Sequence, residues 1–240
     1  MSTILITGAS HGVGRALALA CAASGRWSKM ILNGGSDAAA LEETARRVSA
    51  AGDLLCVSDV GDVGSLPYVE SLRKRFGPAD VLVNNAAVSG FGLLTDTSPE
   101  DWDRLMRVNV TSLYNTCHTY VPDMVSAGGG QILNVSSVWG IAGASCEVAY
   151  SATKGAVNAF TRALAKELAP ARIRVNAIAL GIVDTRMNAR LSEKETAEIR
   201  EQIPAGYIAS PEEAAQGILR LLEMPEYFNG EVVRFDGGWI

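Results

Sequence analysis

Histidine is scarce: the 240-residue chain holds only His11 and His118, and neither sits in a metal-ligand pattern. The four cysteines, Cys21, Cys56, Cys117 and Cys146, show no C-x-x-C spacing. No metal site is expected, and the thiols read as small buried hydrophobes without disulfides, as in a reducing compartment. No apolar run is long enough to span a bilayer, and no basic segment precedes the first strand. The formal net charge is −5 and Lys/Arg clusters are missing, which gives no support to nucleic-acid binding. Linkers, repeats and low-complexity tracts are also missing. With 48% apolar and 20% charged residues, the composition is that of a soluble globular protein. The reading is a cytoplasmic protein without membrane contact, with residues 1–240 forming one domain.

Short apolar runs alternate with helical patterns along the chain. Strands are expected at Thr3–Ile6, Lys29–Asn33, Leu54–Val57, Val81–Val83, Gln131–Val135, Arg172–Ala179 and Glu231–Phe235. Between them lie helices with buried Leu41, Ala45 and Val48, with Leu66, Val69, Leu72 and Phe76, and with Trp102, Leu105 and Met106. Ser98-Pro99-Glu100-Asp101 and Ser210-Pro211-Glu212-Glu213 read as capped helix starts. Strands alternating with helices imply an α/β fold on a parallel sheet.

Three stretches carry chemistry. Thr7-Gly8-Ala9-Ser10-His11-Gly12-Val13-Gly14 joins the first strand to the first helix. Its glycines allow a sharp turn and a close approach of backbone to a pyrophosphate at the helix N-terminus. Asn84-Asn85-Ala86-Ala87 follows the fourth strand. Ser137 ends the fifth strand, and Tyr150 opens a helix with Lys154 four residues on, hence on the same face. A phenol, an ammonium and a hydroxyl brought together can protonate a carbonyl oxygen. An unperturbed tyrosine titrates near ~10, and an adjacent cation is expected to pull it toward neutrality.

Together these stretches resemble the single-domain short-chain dehydrogenase/reductase family over nearly the whole chain. The resemblance implies a Rossmann-type, doubly wound sheet of seven parallel strands with helices on both faces. It implies hydride transfer between a nicotinamide and a carbonyl carbon, with Tyr150 as proton donor and Ser137 holding the oxygen. Lys154 then bonds the nicotinamide ribose, and Asn109 in Arg107-Val-Asn-Val110 continues the proton path. The implied cofactor residues are Gly8, Ser10, His11, Gly12, Val13, Gly14 and Arg15, with Asn85, Ala86 and Ala87. Asp59 would bond the adenine amino group beside Val60. Gly181, Ile182 and Thr185, after a Leu180-Gly181 where relatives have Pro-Gly, would meet the nicotinamide and phosphates. The family also implies a homotetramer packed through long helices.

NADP(H) is expected over NAD(H), because Gly34 and Gly35 stand where NAD-preferring folds place a carboxylate. Arg15 is the expected partner of a 2′-phosphate, Asp37 the cap of the next helix, and Gly34→Asp the change that should shift preference toward NADH. In overall pattern the chain resembles 3-oxoacyl-[acyl-carrier-protein] reductases, so the expected substrate is a small or carrier-bound ketone. Its Met124–Gly130 loop lacks the basic residues with which such enzymes often dock their carrier. Trp139-Gly140 and Gly143–Tyr150 also resemble reductases that finish the aminopentanol modification of bacterial elongation factor P. In that reading Trp139 and Glu147 touch substrate, with the Glu147 carboxylate free for an ammonium. A non-catalytic NADP(H) sensor or scaffold is the alternative from another class. Residues 184–206, charged and poor in apolar side chains, read as a lid.

Overall fold

The apolar runs form seven strands: β1 (Thr3–Ile6), β2 (Lys29–Gly34), β3 (Leu55–Val60), β4 (Val81–Asn84), β5 (Gly130–Ser137), β6 (Ile173–Leu180) and β7 (Val232–Phe235). They are seen in a computed structural model that describes residues 2–240. All pair in parallel, in the order β3-β2-β1-β4-β5-β6-β7. Ile4, Leu5 and Ile6 are fully buried, as a central strand covered on both faces requires.

Alternate residues of each strand face opposite layers. Ile4, Ile6 and Leu32 pack with α1 (Gly12–Ala23), α2 (Ala38–Ala51) and α9 (Pro211–Glu223), through Leu17, Leu41, Val48 and Ile218. Leu5, Ile31 and Leu82 face α3 (Leu66–Phe76), α5 (Ser112–Ala127) and α7 (Val148–Leu168), through Val69, Leu72, Tyr120 and Leu168. Strand order reverses at the β1–β4 pair, where Ile4 to Ile6 run in register with Val81 to Val83. A crevice at the carboxyl ends of the strands follows from such a reversal.

Several elements differ from the sequence reading. β5 runs on to Ser137 and β3 to Val60, because polar residues at the strand ends still pair in the ladder. In α4 (Pro99–Met106) Leu105 is buried, whereas Trp102 is 38% exposed rather than part of the core. The chain passes from α4 into α5 through a π-helical turn, Arg107–Thr111, which carries Asn109. All four cysteines are free, Cys21 and Cys117 buried and Cys56 and Cys146 partly so. Among the described residues no helix is long and apolar enough to cross a membrane, and no His/Cys/Asp/Glu group is arranged to hold a metal ion.

A buried polar ladder joins the α5 and α7 layer to the sheet. The Thr116 hydroxyl donates to Asn84 Oδ1 (2.8 Å), Asn84 Nδ2 to Asn134 Oδ1 (2.9 Å), and Asn134 Nδ2 to the Thr161 hydroxyl (2.9 Å). An unpaired amide here would lose its water without compensation. Asn134→Leu is therefore expected to cost about 1–3 kcal/mol of stability, read as a lower urea midpoint at unchanged slope. An unchanged midpoint would show the ladder to be dispensable.

Candidate active site

The crevice holds a cavity of about 390 Å³ whose wall runs from the glycine loop to the ends of β5 and β6. Gly8 and Gly12 have φ of +68° and +50°, and a Cβ on Gly14 would lie 2.2 Å from the Gly8 carbonyl oxygen. A side chain at these positions would break the loop. α1 begins at Gly12 without a side-chain cap, so its first amides point at the cavity end lined by Ser10 to Gly14. The Ser10 hydroxyl is buried and unpartnered. Uncapped amides, a free hydroxyl and a cradle too tight for any Cβ fit the phosphates of a dinucleotide. Asn85 braces this loop: its Nδ2 donates to the Thr7 and Gly8 carbonyls at 2.9 and 3.1 Å. Ala86, Ala87, Gly181, Ile182 and Thr185 join the same wall.

Other expected cofactor residues are engaged elsewhere. The Arg15 guanidinium donates to Ser10 O (2.6 Å), Thr44 Oγ1 (2.9 Å) and Ala40 O (3.1 Å), tying the loop to α2 rather than reaching into the cavity. Asp59 is held by Arg75 at 2.8 and 2.5 Å, and neither it nor Val60 lines the cavity. Asp37 does cap α2, accepting from Ala40 N at 3.0 Å. It also pairs with His11 (2.8 Å) and lies 3.7 Å from Arg186. The contacts of Gly34 and Gly35 differ. A Cβ on Gly34 would strike Ser10 Oγ at 2.3 Å, whereas one on Gly35 meets nothing within 4 Å. Gly34→Asp would thus distort the loop, and Gly35, which lines the cavity, is the position open to a side chain.

Ser137, Tyr150 and Lys154 meet in one wall of the cavity. Ser137 arrives on β5, and its hydroxyl accepts from Trp139 N at 3.2 Å. α7 carries Tyr150 and Lys154 one turn apart, both at least nine-tenths buried. The short helix α6 (Trp139–Ala142) fixes the spacing between these elements, because a Cβ on Gly140 would lie 2.5 Å from the Lys154 carbonyl carbon. Asn158 clamps the junction, donating to Gly140 O (2.9 Å) and accepting from the Ser136 hydroxyl (2.6 Å).

Burial governs the electrostatics. It pushes the Tyr150 phenol well above the ordinary range; Glu147 adds to that rise and the neighbouring Ser137 hydroxyl opposes it. Lys154 falls from 10.5 to about 8 through burial. Its ammonium donates to Val135 O at 2.9 Å and lies 5.7 Å from the Tyr150 ring centre. The expectation that Lys154 draws the phenol toward neutrality is thus not met in this arrangement, because both groups lose their water. Asn109 is also fully engaged: it bonds Val88 N and O (2.8 Å each) and donates to the Thr153 hydroxyl at 3.1 Å. Thr153 passes the link to the Tyr150 carbonyl at 2.7 Å. The Asn109 side chain therefore braces α7 against the Val88 loop.

The cavity also has an apolar lining, from Trp139, Met187, Leu191, Ile199 and Trp239. Trp139 and Trp239 pack with ring centres 4.9 Å apart. The segment 184–206 carries a 3₁₀ turn, Arg186–Asn188, and α8 (Glu193–Gln202), which has no buried residue. Glu147 lines the cavity but is not free: Arg190 holds its carboxylate at 3.2 Å. Sequence reading passed over Trp239, Arg186 and Arg190 as site residues. Only Trp239 left a local signal there, an aromatic directly after the last strand.

Residues 2–196 match the family described as short chain dehydrogenase. The chain is 38% identical over 239 residues to "Uncharacterized oxidoreductase YmfI" of Bacillus subtilis (strain 168), covering 99% of this chain and 98% of that one. It is 36% identical to "3-oxoacyl-[acyl-carrier-protein] reductase FabG" of Aquifex aeolicus (strain VF5), covering 98% and 95%. A crystal structure of 3-oxoacyl-[acyl-carrier protein] reductase from Brucella melitensis ATCC 23457 superposes with a TM-score of 0.92 at 31% identity, covering 100% of this chain and 91% of that one. Levodione reductase also gives a TM-score of 0.92, at 29% identity and coverage of 99% and 96%. On fold, site and sequence alike, the chain belongs to the short-chain dehydrogenase family and is an oxidoreductase of that family.

Proposed function

We propose that the protein reduces a ketone to a secondary alcohol with NADPH. The observation that carries this reading is the convergence of Ser137, Tyr150 and Lys154 on one wall of the cavity, with the Lys154 ammonium 5.7 Å from the Tyr150 ring centre. The nicotinamide dinucleotide, when bound, supplies the hydride. Ser137 offers its hydroxyl to the substrate oxygen, and Tyr150 gives up its proton as negative charge develops there. A phenol held above its ordinary range is loaded with that proton at neutral pH, which suits the reductive direction. Lys154 keeps a proton donor beside the tyrosine from which the phenol can be recharged.

The apolar wall of Trp139, Met187, Leu191, Ile199 and Trp239 suits a ketone carrying a hydrocarbon group. A 3-oxoacyl thioester fits that description and agrees with the names of the relatives. The amine-substrate reading relied on a free Glu147 carboxylate, and Arg190 takes that support away. For the cofactor, the Gly35 end of the cavity has open space and the cationic or donor groups of His11 and Arg186. Their donors and charge support the reading of a 2′-phosphate at this end, with Asp37 as countercharge.

Tyr150→Phe should cut kcat at least about a hundredfold, because only the proton donor is removed. Its dinucleotide affinity, read from quenching of Trp139 and Trp239 fluorescence, should stay near that of the parent. Near-normal turnover would sink the mechanism.

Gly35→Asp should lower the ratio of kcat/KM for NADPH over NADH by about tenfold or more, since the carboxylate repels a phosphate and bonds a ribose hydroxyl. A parent enzyme that already favours NADH would show the cofactor assignment wrong.

Lys154 makes a prediction about stability. Its folded value is about 8 against an ordinary 10.5, so below about pH 8 the folded state carries a buried charge at full cost. That cost is relieved as pH rises from about 8 toward 10.5. Lys154→Met has no such relief. Its melting temperature relative to the parent should therefore fall between about pH 7 and pH 10, as scanning calorimetry would read. A constant difference would mean that Lys154 titrates normally.

A further inference from the structure

Glu147 is the N-terminal capping residue of α7, yet its carboxylate makes no capping bond to the helix. It turns instead into the cavity that Tyr150 lines, with its side chain only 15% exposed. Two residues, Val148 and Ala149, separate it from Tyr150, so the cap and the phenol lie within one turn of each other at the start of α7. Arg190 reaches it at 3.2 Å, with the guanidinium stacked 3.9 Å above the Phe91 ring. Arg190 leads into α8, none of whose residues is buried, so this clasp ties the approach to that helix to the body.

We propose that Glu147 and Arg190 act as a matched pair on the proton donor: the carboxylate holds the proton on Tyr150, and the guanidinium moderates that hold by neutralising the carboxylate. The inference rests on the reading of Tyr150 as the proton donor. Glu147 is here a positioning residue, acting through the phenol and not on the substrate. The charge on Glu147 indeed raises Tyr150, while Arg190 offsets the rise that burial causes in Glu147 itself.

Other charges face this group. Lys154 lies one turn beyond Tyr150 on α7, and Arg186 and His11 line the far end of the same cavity. Asp96, Asp101 and Arg104 face Glu147 from a smaller neighbouring cavity. Tyr150 and Lys154 are the two buried titratable groups of this wall. Removing an anion moves both downward and removing a cation moves both upward, so the sign of a shift does not depend on how the titration divides between them.

The test is the pH profile of kcat/KM with a simple ketone and with its alcohol, at low fixed ionic strength, in four forms of the full chain. In Glu147→Gln the limb shared by both directions should move to lower pH, by about half a unit or more. In Arg190→Gln it should move to higher pH by a similar amount. The double variant should lie between the two single variants, near the parent, because opposite charges at one place act as the sum of their fields. Loss of packing would scale the profile without moving its limb in opposite directions. Shifts of the same sign, or no shift in either single variant, would overturn the proposal. Tyr150→Phe separates the two readings: if it is inactive while the limb stays fixed in both single variants, this inference alone fails. If it retains turnover, the proton-donor assignment has failed first.

Discussion

The distance between the end of β5 and the start of α7 is set by bare backbone. Gly140 lies against the Lys154 carbonyl with no room for a side chain, and Asn158 locks the two together through Ser136 and the Gly140 carbonyl. Everything proposed for the chemistry hangs on that contact. β5 delivers Ser137, α7 delivers Tyr150 and Lys154, and α6 between them turns Trp139 toward the substrate wall. A methyl group at position 140 would part the hydroxyl from the phenol before any polar group was touched.

Burial then shapes the acid–base character of the site more than proximity does. Phenol and ammonium line one wall, yet each is displaced toward its neutral form, because burial strips both of water. Charged neighbours act as corrections on that background. This is why a carboxylate one turn away can matter for a tyrosine that already lies far from its ordinary value.

The sequence made the fold and the core of the candidate site legible because both are written in short-range patterns. The glycine loop, the capped helix starts and the Tyr150–Lys154 spacing need only their own neighbours to be read. What stayed hidden depends on segments far apart in the chain. Arg190 meets Glu147 across 43 residues, and Arg186 meets His11 across 175. Gly34 and Gly35 look alike in sequence, and only the packing of Ser10 and Leu41 tells them apart. Trp102 has the spacing of a core residue, but the chain covers it only in part and leaves it 38% exposed. The three polar residues Arg15, Asp59 and Asn109 kept the positions expected of them, while their side chains are engaged with protein partners.

The reversal of strand order between β1 and β4 has a kinetic side. The first strand finds one neighbour in β2, but the other comes only after the chain has made β3 and α3 and returned. The Thr7 and Asn85 bonds that close the crevice span 78 residues, so loop closure must precede them. Parallel pairings of this kind are intrinsically slow to assemble. The phosphate cradle therefore exists only late in folding, after the two halves of the sheet have joined. A dinucleotide cannot template that assembly, but it can trap the finished state, and the protein should respond to it as a brake on unfolding.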